Sequence, residues 1–153
     1  MVDTTQLAGD ATSTDRPTLT GIQHVGLTVS DVEASEAWYG RVLGLQRAFV
    51  EPHNQSDDGG YAVVLGAEGV PINIGLDHHP AHQGETFDPV RTGMDHVCFQ
   101  VANRAALDDW IAHLDREGVA HCDVVEFEAM GMTFALVSFT DPDGIAFELM
   151  SVT

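Results

Sequence analysis

The sequence predicts an α+β fold made of two tandem βαβββ modules, their strands curling as a mixed sheet around a central cup. Three observations carry this. His24-Val25-Gly26-Leu27-Thr28-Val29 returns 72 residues later as His96-Val97-Cys98-Phe99-Gln100-Val101. Trp38 and Trp110 each follow their own histidine by 14 residues, inside a helical pattern. Tyr61-Ala62-Val63-Val64 then matches Phe134-Ala135-Leu136-Val137 at an offset of 73, and Ile72-Asn73-Ile74 matches Phe147-Glu148-Leu149 at 75. Matched segments in one order identify a duplication. It sets His24 opposite His96, and Asn73 opposite Glu148, about a pseudo-twofold axis.

Residues 1–18 are rich in Thr, Asp and Ser, contain Pro17, and read as a flexible tail. From Gly21 to Val29 apolar and polar residues alternate with the period of a strand. Ser30-Asp31 supplies an N-cap, Glu33 an acidic first turn, and Gly44 a stop, so a helix runs to Leu43. Leu45 to Glu51 is the second strand, His53 to Gly60 a loop, Tyr61 to Leu65 the third strand and Val70 to Leu76 the fourth. That completes module one over residues 20–76.

Residues 77–92 hold three histidines and two prolines without a period and form the connection. Module two covers residues 93–152. Met94 to Val101 is its first strand, Asn103 caps a helix reaching Glu117, and Gly118 ends it. Val119 to Phe127, Thr133 to Phe139 and Ile145 to Val152 are the last strands. Asp141-Pro142-Asp143-Gly144 is a turn between the final two, with proline and glycine where a turn accepts them. The segment Glu126 to Met132 forms either an adaptable lid or an ordinary hairpin end.

At 153 residues with 44% hydrophobic composition, residues 19–153 bury one core as a single domain. Twenty-four acidic residues face six basic ones, all arginine, for a net charge of -18. That charge argues against nucleic acid and anionic membranes as partners, and the scattered carboxylates serve solubility. Cys98 and Cys122 lack a disulfide framework and indicate a reducing compartment. With neither a signal peptide nor a spanning segment in view, the expected location is cytoplasmic.

If helices cover the Val25/Leu27/Val29 and Val97/Phe99/Val101 faces, His24 and His96 point the other way, into the concavity. Glu148, between Phe147 and Leu149, shares that direction. A carboxylate in an apolar strand is costly unless paired or metal-bound, and its other option is one of the six arginines. Two imidazoles and a carboxylate suit a divalent metal with positions left for substrate. Asn73 takes the fourth place by symmetry, where its amide either coordinates or bonds the backbone. His78, His79 and His82 read as a solvent-exposed loop group, although His79 is an alternative ligand and a candidate to meet the substrate, as a base in place of Glu148. Thr28, Cys98 and Gln100 share the histidine faces as lining residues.

These residues resemble the vicinal oxygen chelate superfamily, which includes glyoxalase I, methylmalonyl-CoA epimerase, extradiol dioxygenases, and fosfomycin- and bleomycin-resistance proteins. The likeness covers about residues 20–151. It rests on His24 to Asp31, the helix from Trp38-Tyr39 to Val42-Leu43-Gly44-Leu45, Asp95-His96-Val97, and Asp141-Pro142-Asp143-Gly144 to Phe147-Glu148-Leu149. It implies a metal cup with His24, Asn73, His96 and Glu148 as the ligand set, and Asn73 departs from the Glu or Gln of glyoxalase I-like members. The connection from Gly84 to His96 looks like a branch without an assigned substrate.

The resemblance implies a divalent-metal enzyme (Fe, Mn, Ni, Co or Zn) acting on a small oxygen-rich or aromatic substrate as a lyase, isomerase or dioxygenase. Glu148 is the candidate base. The competing class is a non-catalytic small-molecule binder of the bleomycin-resistance type. A homodimer is expected, with the cup completed within one chain or across two.

Overall fold

The computed structural model describes Pro17, residues 19–52 and residues 59–153. The expected tail therefore lies outside the described residues apart from Pro17, and so do residues 53–58 of the expected loop.

Module one comprises β1 (His24–Thr28), α1 (Val32–Leu43), β2 (Gln46–Pro52), β3 (Tyr61–Gly66) and β4 (Asn73–His78). Module two comprises β5 (Val97–Gln100), α2 (Arg104–Glu117), β6 (Val125–Ala129), β7 (Met132–Thr140) and β8 (Ala146–Val152). The strands form two separate four-stranded sheets, ordered β1-β4-β3-β2 and β5-β8-β7-β6. Each sheet pairs its first and last strands in parallel and the others antiparallel. The α+β fold of two βαβββ modules stands, as a pair of mixed sheets.

Both helices form where local chemistry starts and stops them. The Asp31 side chain accepts the Ala34 N–H at 3.0 Å, and Asn103 accepts the Ala106 N–H at 3.0 Å. Gly44 (φ 70°) and Gly118 (φ 69°) close them in the left-handed conformation that costs glycine little.

Strands β4 and β6 start after their expected first residues. β4 begins at Asn73 because the chain is still turning before it, with the Val70 N–H donating to the Ala67 carbonyl. It runs on through His78, so Asp77 and His78 belong to a strand rather than to the connection. β6 begins only at Val125; upstream, His121 makes a single bridge to Phe139. The segment Glu126 to Met132 is a tight hairpin whose two turn residues, Met130 (φ 53°) and Gly131 (φ 75°), are both left-handed, as a two-residue hairpin turn demands.

One hydrophobic core joins the modules. It takes Leu27, Leu65, Ile74 and Leu76 from the first sheet, Val137, Phe139, Phe147 and Leu149 from the second, and Tyr39, Val42, Leu107 and Leu114 from the helices. Tyr39 packs edge-on against Phe147 with ring centroids 5.8 Å apart. Its hydroxyl donates to Asp141 Oδ2 at 2.7 Å. Asp141 Oδ1 in turn accepts the N–H groups of Asp143 (2.9 Å) and Ile145 (2.8 Å), while Asp143 Oδ1 accepts the Ser30 N–H at 3.2 Å. The Asp-Pro-Asp-Gly turn thus ties module two to the start of α1 through buried carboxylates with satisfied oxygens.

Candidate functional site

Strand alternation sends the candidate ligands away from this core. Leu27 is buried while His24, Gly26 and Thr28 are exposed. His96, Cys98 and Gln100 are likewise exposed, and Phe99 and Val101 face the core. Thr28, Cys98 and Gln100 therefore share the histidine faces, as their alternation requires.

In module two the site assembles on adjacent strands. His96 stands just before β5, and its Nε2 lies 3.4 Å from Glu148 Oε2. The Ser138 hydroxyl, directly across from Glu148 in the β7–β8 register, donates to Glu148 Oε1 at 3.2 Å. On its other side the His96 ring places Nδ1 2.7 Å from Asp95 Oδ1. With Asp95 accepting at Nδ1, the Nε2 that faces Glu148 is left to carry a second proton or to meet a cation. The hydrogen bond to Asp95, opposed by burial and aided by the charge of Glu148, raises the imidazole above its ordinary range. A proton and a divalent cation therefore compete for the same nitrogen.

Module one repeats part of this. His24 Nδ1 meets the Gln23 side-chain oxygen, again the residue just before the histidine. Asn73 is the register partner of His24; its Nδ2 donates to the Gln23 carbonyl at 3.4 Å. The expected symmetry is corrected here. Cys98 pairs with Glu148 and Gly26 pairs with Gly75, and the Val101 N–H to Met150 carbonyl bond has its counterpart in Val29 to Asp77. The counterpart of Glu148 is thus Gly75, not Asn73. Sequence matching placed the last strands two residues off, because Ile-Asn-Ile and Phe-Glu-Leu share an apolar frame that two-residue periodicity cannot tell from its neighbour.

The structure brings His96 and Glu148 together. Among the described residues, no three His, Cys, Asp or Glu side chains gather within one chain as a metal cluster, so His24 does not join that pair. The donor chemistry fits a divalent ion as a half-site: an anchored imidazole and a partly buried carboxylate on one face, with a hydroxyl holding the carboxylate. His79 follows β4 in the connection, where its carbonyl accepts the His82 N–H at 2.9 Å. Burial and then the charge of Glu148 push the Cys98 thiol up to about 11. It stays protonated near neutral pH and is no nucleophile.

Farther along the same face of module two the lining turns apolar. Phe134 and Leu136 alternate with Ser138 on β7, Met150 follows Glu148 on β8, and Phe127 stacks on Phe134 with centroids 5.0 Å apart and planes 3° from parallel. Phe127 remains 42% exposed, so this stack is open to a ligand. Sequence reasoning missed Asp95, Ser138 and this aromatic pair. The polar residue preceding each histidine, Gln23 or Asp95, was the available signal for the first.

The family model of the Glyoxalase/Bleomycin resistance protein/Dioxygenase superfamily matches residues 21–149. A glyoxylase/bleomycin resistance protein/dioxygenase domain from Frankia sp. EAN1pec is similar at 28% identity and TM-score 0.75, covering 89% of this chain and 100% of that one. A glyoxalase family protein from Enterococcus faecalis is similar at 20% identity and TM-score 0.68, covering 86% and 97%. TnmS3, an antibiotic binding protein from Streptomyces sp. CB03234, is similar at 18% identity and TM-score 0.65, covering 90% and 100%; these last two likenesses concern the fold. No curated protein matches. With the family model spanning both modules and the DPDG-to-Glu148 ending in place, the chain belongs to the glyoxalase/bleomycin resistance protein/dioxygenase superfamily.

Proposed function

We propose that this protein is a divalent-metal-dependent enzyme acting on a small oxygen-rich or aromatic substrate, as a lyase, isomerase or dioxygenase. His96 and Glu148 hold the ion from one chain, and His24 holds it from the first module of a second copy in a homodimer. The observation that carries this reading is the His96–Glu148 pair at 3.4 Å, with the imidazole anchored through Asp95 and the carboxylate through Ser138. The open histidine faces and the separation of His24 from that pair support assembly across two chains.

When bound, the ion, whether Fe, Mn, Ni, Co or Zn, supplies positive charge for an oxyanion developing on the substrate. Glu148 is the candidate base once its carboxylate leaves the ion, taking a proton from the substrate carbon or hydroxyl while Ser138 steadies its other oxygen. Asn73 and His79 are subordinate candidates for completing the ligand set. Thr28, Cys98 and Gln100 line the cavity, and the Phe127–Phe134 stack accepts a flat apolar body. Cytoplasmic residence belongs to the same reading: Cys98 and Cys122 are free thiols, and no helix among the described residues is long and apolar enough to cross a membrane.

The test is metal analysis of protein purified without chelator, then anaerobic reconstitution and a substrate screen with and without oxygen. Bound metal that is lost in His96→Ala and Glu148→Gln, a dimer by light scattering, and turnover of a catechol or a hemithioacetal are the expected results. Absence of affinity for any of the five metals ends the enzyme reading. It leaves the second one, a binder that sequesters an aromatic antibiotic or metabolite, which the open phenylalanine stack favours; tight binding without turnover is its signature.

A further inference from the structure

We infer that Asp77 supplies the acidic side chain of the first module's half-site, in the place where the duplication left a glycine. The inference rests on the metal reading above and assigns that site a further ligand.

The register makes Gly75 the counterpart of Glu148, and glycine has nothing to coordinate with. The space above it is nonetheless occupied. A Cβ built on Gly26 would lie 2.8 Å from Asp77 Oδ2, and one built on Gly75 would lie 3.5 Å from the same oxygen. The Asp77 carboxylate therefore leans back along β4, over the two glycines paired between β1 and β4. Its own counterpart in module two is Met150, an apolar residue, since the Asp77 and Met150 carbonyls accept corresponding N–H groups from Val29 and Val101.

The acidic residue of module one thus stands two positions farther along its strand than Glu148 does along its own. Where module two has Cys98 and Glu148, module one has two glycines and a carboxylate reaching into the gap they leave. The glycines fit this reading because a Cβ at Gly26 would push the Asp77 carboxylate aside. Asn73 is turned otherwise: its amide nitrogen serves the Gln23 carbonyl, and its Oδ1 lies 2.5 Å from where a Cβ on Gly66 would stand. Assembled from two chains, the cup then offers two imidazoles, His24 and His96, and two carboxylates, Asp77 and Glu148. Two carboxylates balance the charge of a divalent ion and bind it more tightly than one.

The experiment is titration of the metal-free dimer with Co2+ alone, following heat of binding and the visible cobalt spectrum. Wild type, Asp77→Asn, Gly26→Ala and the double variant Asp77→Ala/Gly75→Glu are compared, each checked for wild-type circular dichroism. Asp77→Asn is expected to bind at least tenfold more weakly with an altered spectrum. Gly26→Ala should weaken binding in the same direction, by displacing the carboxylate. The double variant, which puts the carboxylate at the register position of Glu148, should restore affinity. Unchanged affinity and spectrum in both Asp77→Asn and Gly26→Ala, with wild type binding cobalt, overturn the inference alone. A wild type that takes up no cobalt overturns the metal reading and this inference with it.

Discussion

Replacing Tyr39 by phenylalanine tests how the two modules are held together. The Tyr39 ring is fully buried against Phe147, and phenylalanine preserves that volume and the edge-on contact. Only the hydroxyl goes, and with it the 2.7 Å bond to Asp141 Oδ2. Asp141 is 5% exposed, so water does not simply replace the lost donor, and Oδ2 is left buried with one partner fewer. A hydrogen bond to a charged group contributes about 1.5–3 kcal/mol, and stranding its acceptor places the cost toward the upper end. For a chain of this size that is a fall in Tm of roughly 4–10 °C.

The pH dependence carries a sign that sharpens the test. Burial raises the Asp141 carboxyl above its ordinary value of 3.8, and the Tyr39 hydroxyl pulls it back down. The folded state therefore holds a proton that the unfolded state has released, and stability falls as pH rises through the window from 3.8 to the folded value. Without the hydroxyl the folded value climbs further and the window widens. The Tyr39→Phe deficit should be largest at neutral pH and shrink toward pH about 4, where a neutral carboxyl is cheaper to bury. Calorimetric melts of both proteins across that range decide it. A deficit below about 0.5 kcal/mol at neutral pH, or one that grows on acidification, refutes the reasoning.

Three further outcomes follow from the geometry. Asn103→Ala removes the side chain that accepts the Ala106 N–H and should cost about 1 kcal/mol, read as a fall in Tm of roughly 2–4 °C with no change in metal content. Ser138→Ala withdraws the hydroxyl from Glu148 Oε1 and should weaken metal binding by about tenfold, measured by calorimetric titration. Phe127→Ala breaks the open stack on Phe134 and should lower the affinity for a flat aromatic ligand by about 2- to 10-fold, seen by fluorescence or calorimetry, while leaving metal affinity unchanged.

The order of elements, both helix caps, both helix-ending glycines and the direction of His24, His96 and Glu148 were legible in the sequence, because each depends on residues within a few positions of one another. Alternation says which face a residue joins, and Asp31, Asn103, Gly44 and Gly118 act on their own turns. Hydrogen-bond register between strands dozens of residues apart is a different kind of information. It depends on which N–H finds which carbonyl, and a shift of two residues leaves the apolar pattern intact. Only the tertiary structure therefore showed that Glu148 answers to Gly75 rather than Asn73, and that Asp77 lies across the glycines. The same holds for the Asp-Pro-Asp-Gly turn: its turn chemistry is local, but the burial of Asp141 under the Tyr39 hydroxyl arises only when α1 packs against β8. Sequence set the faces of this protein, and long-range pairing decided which side chains on those faces meet.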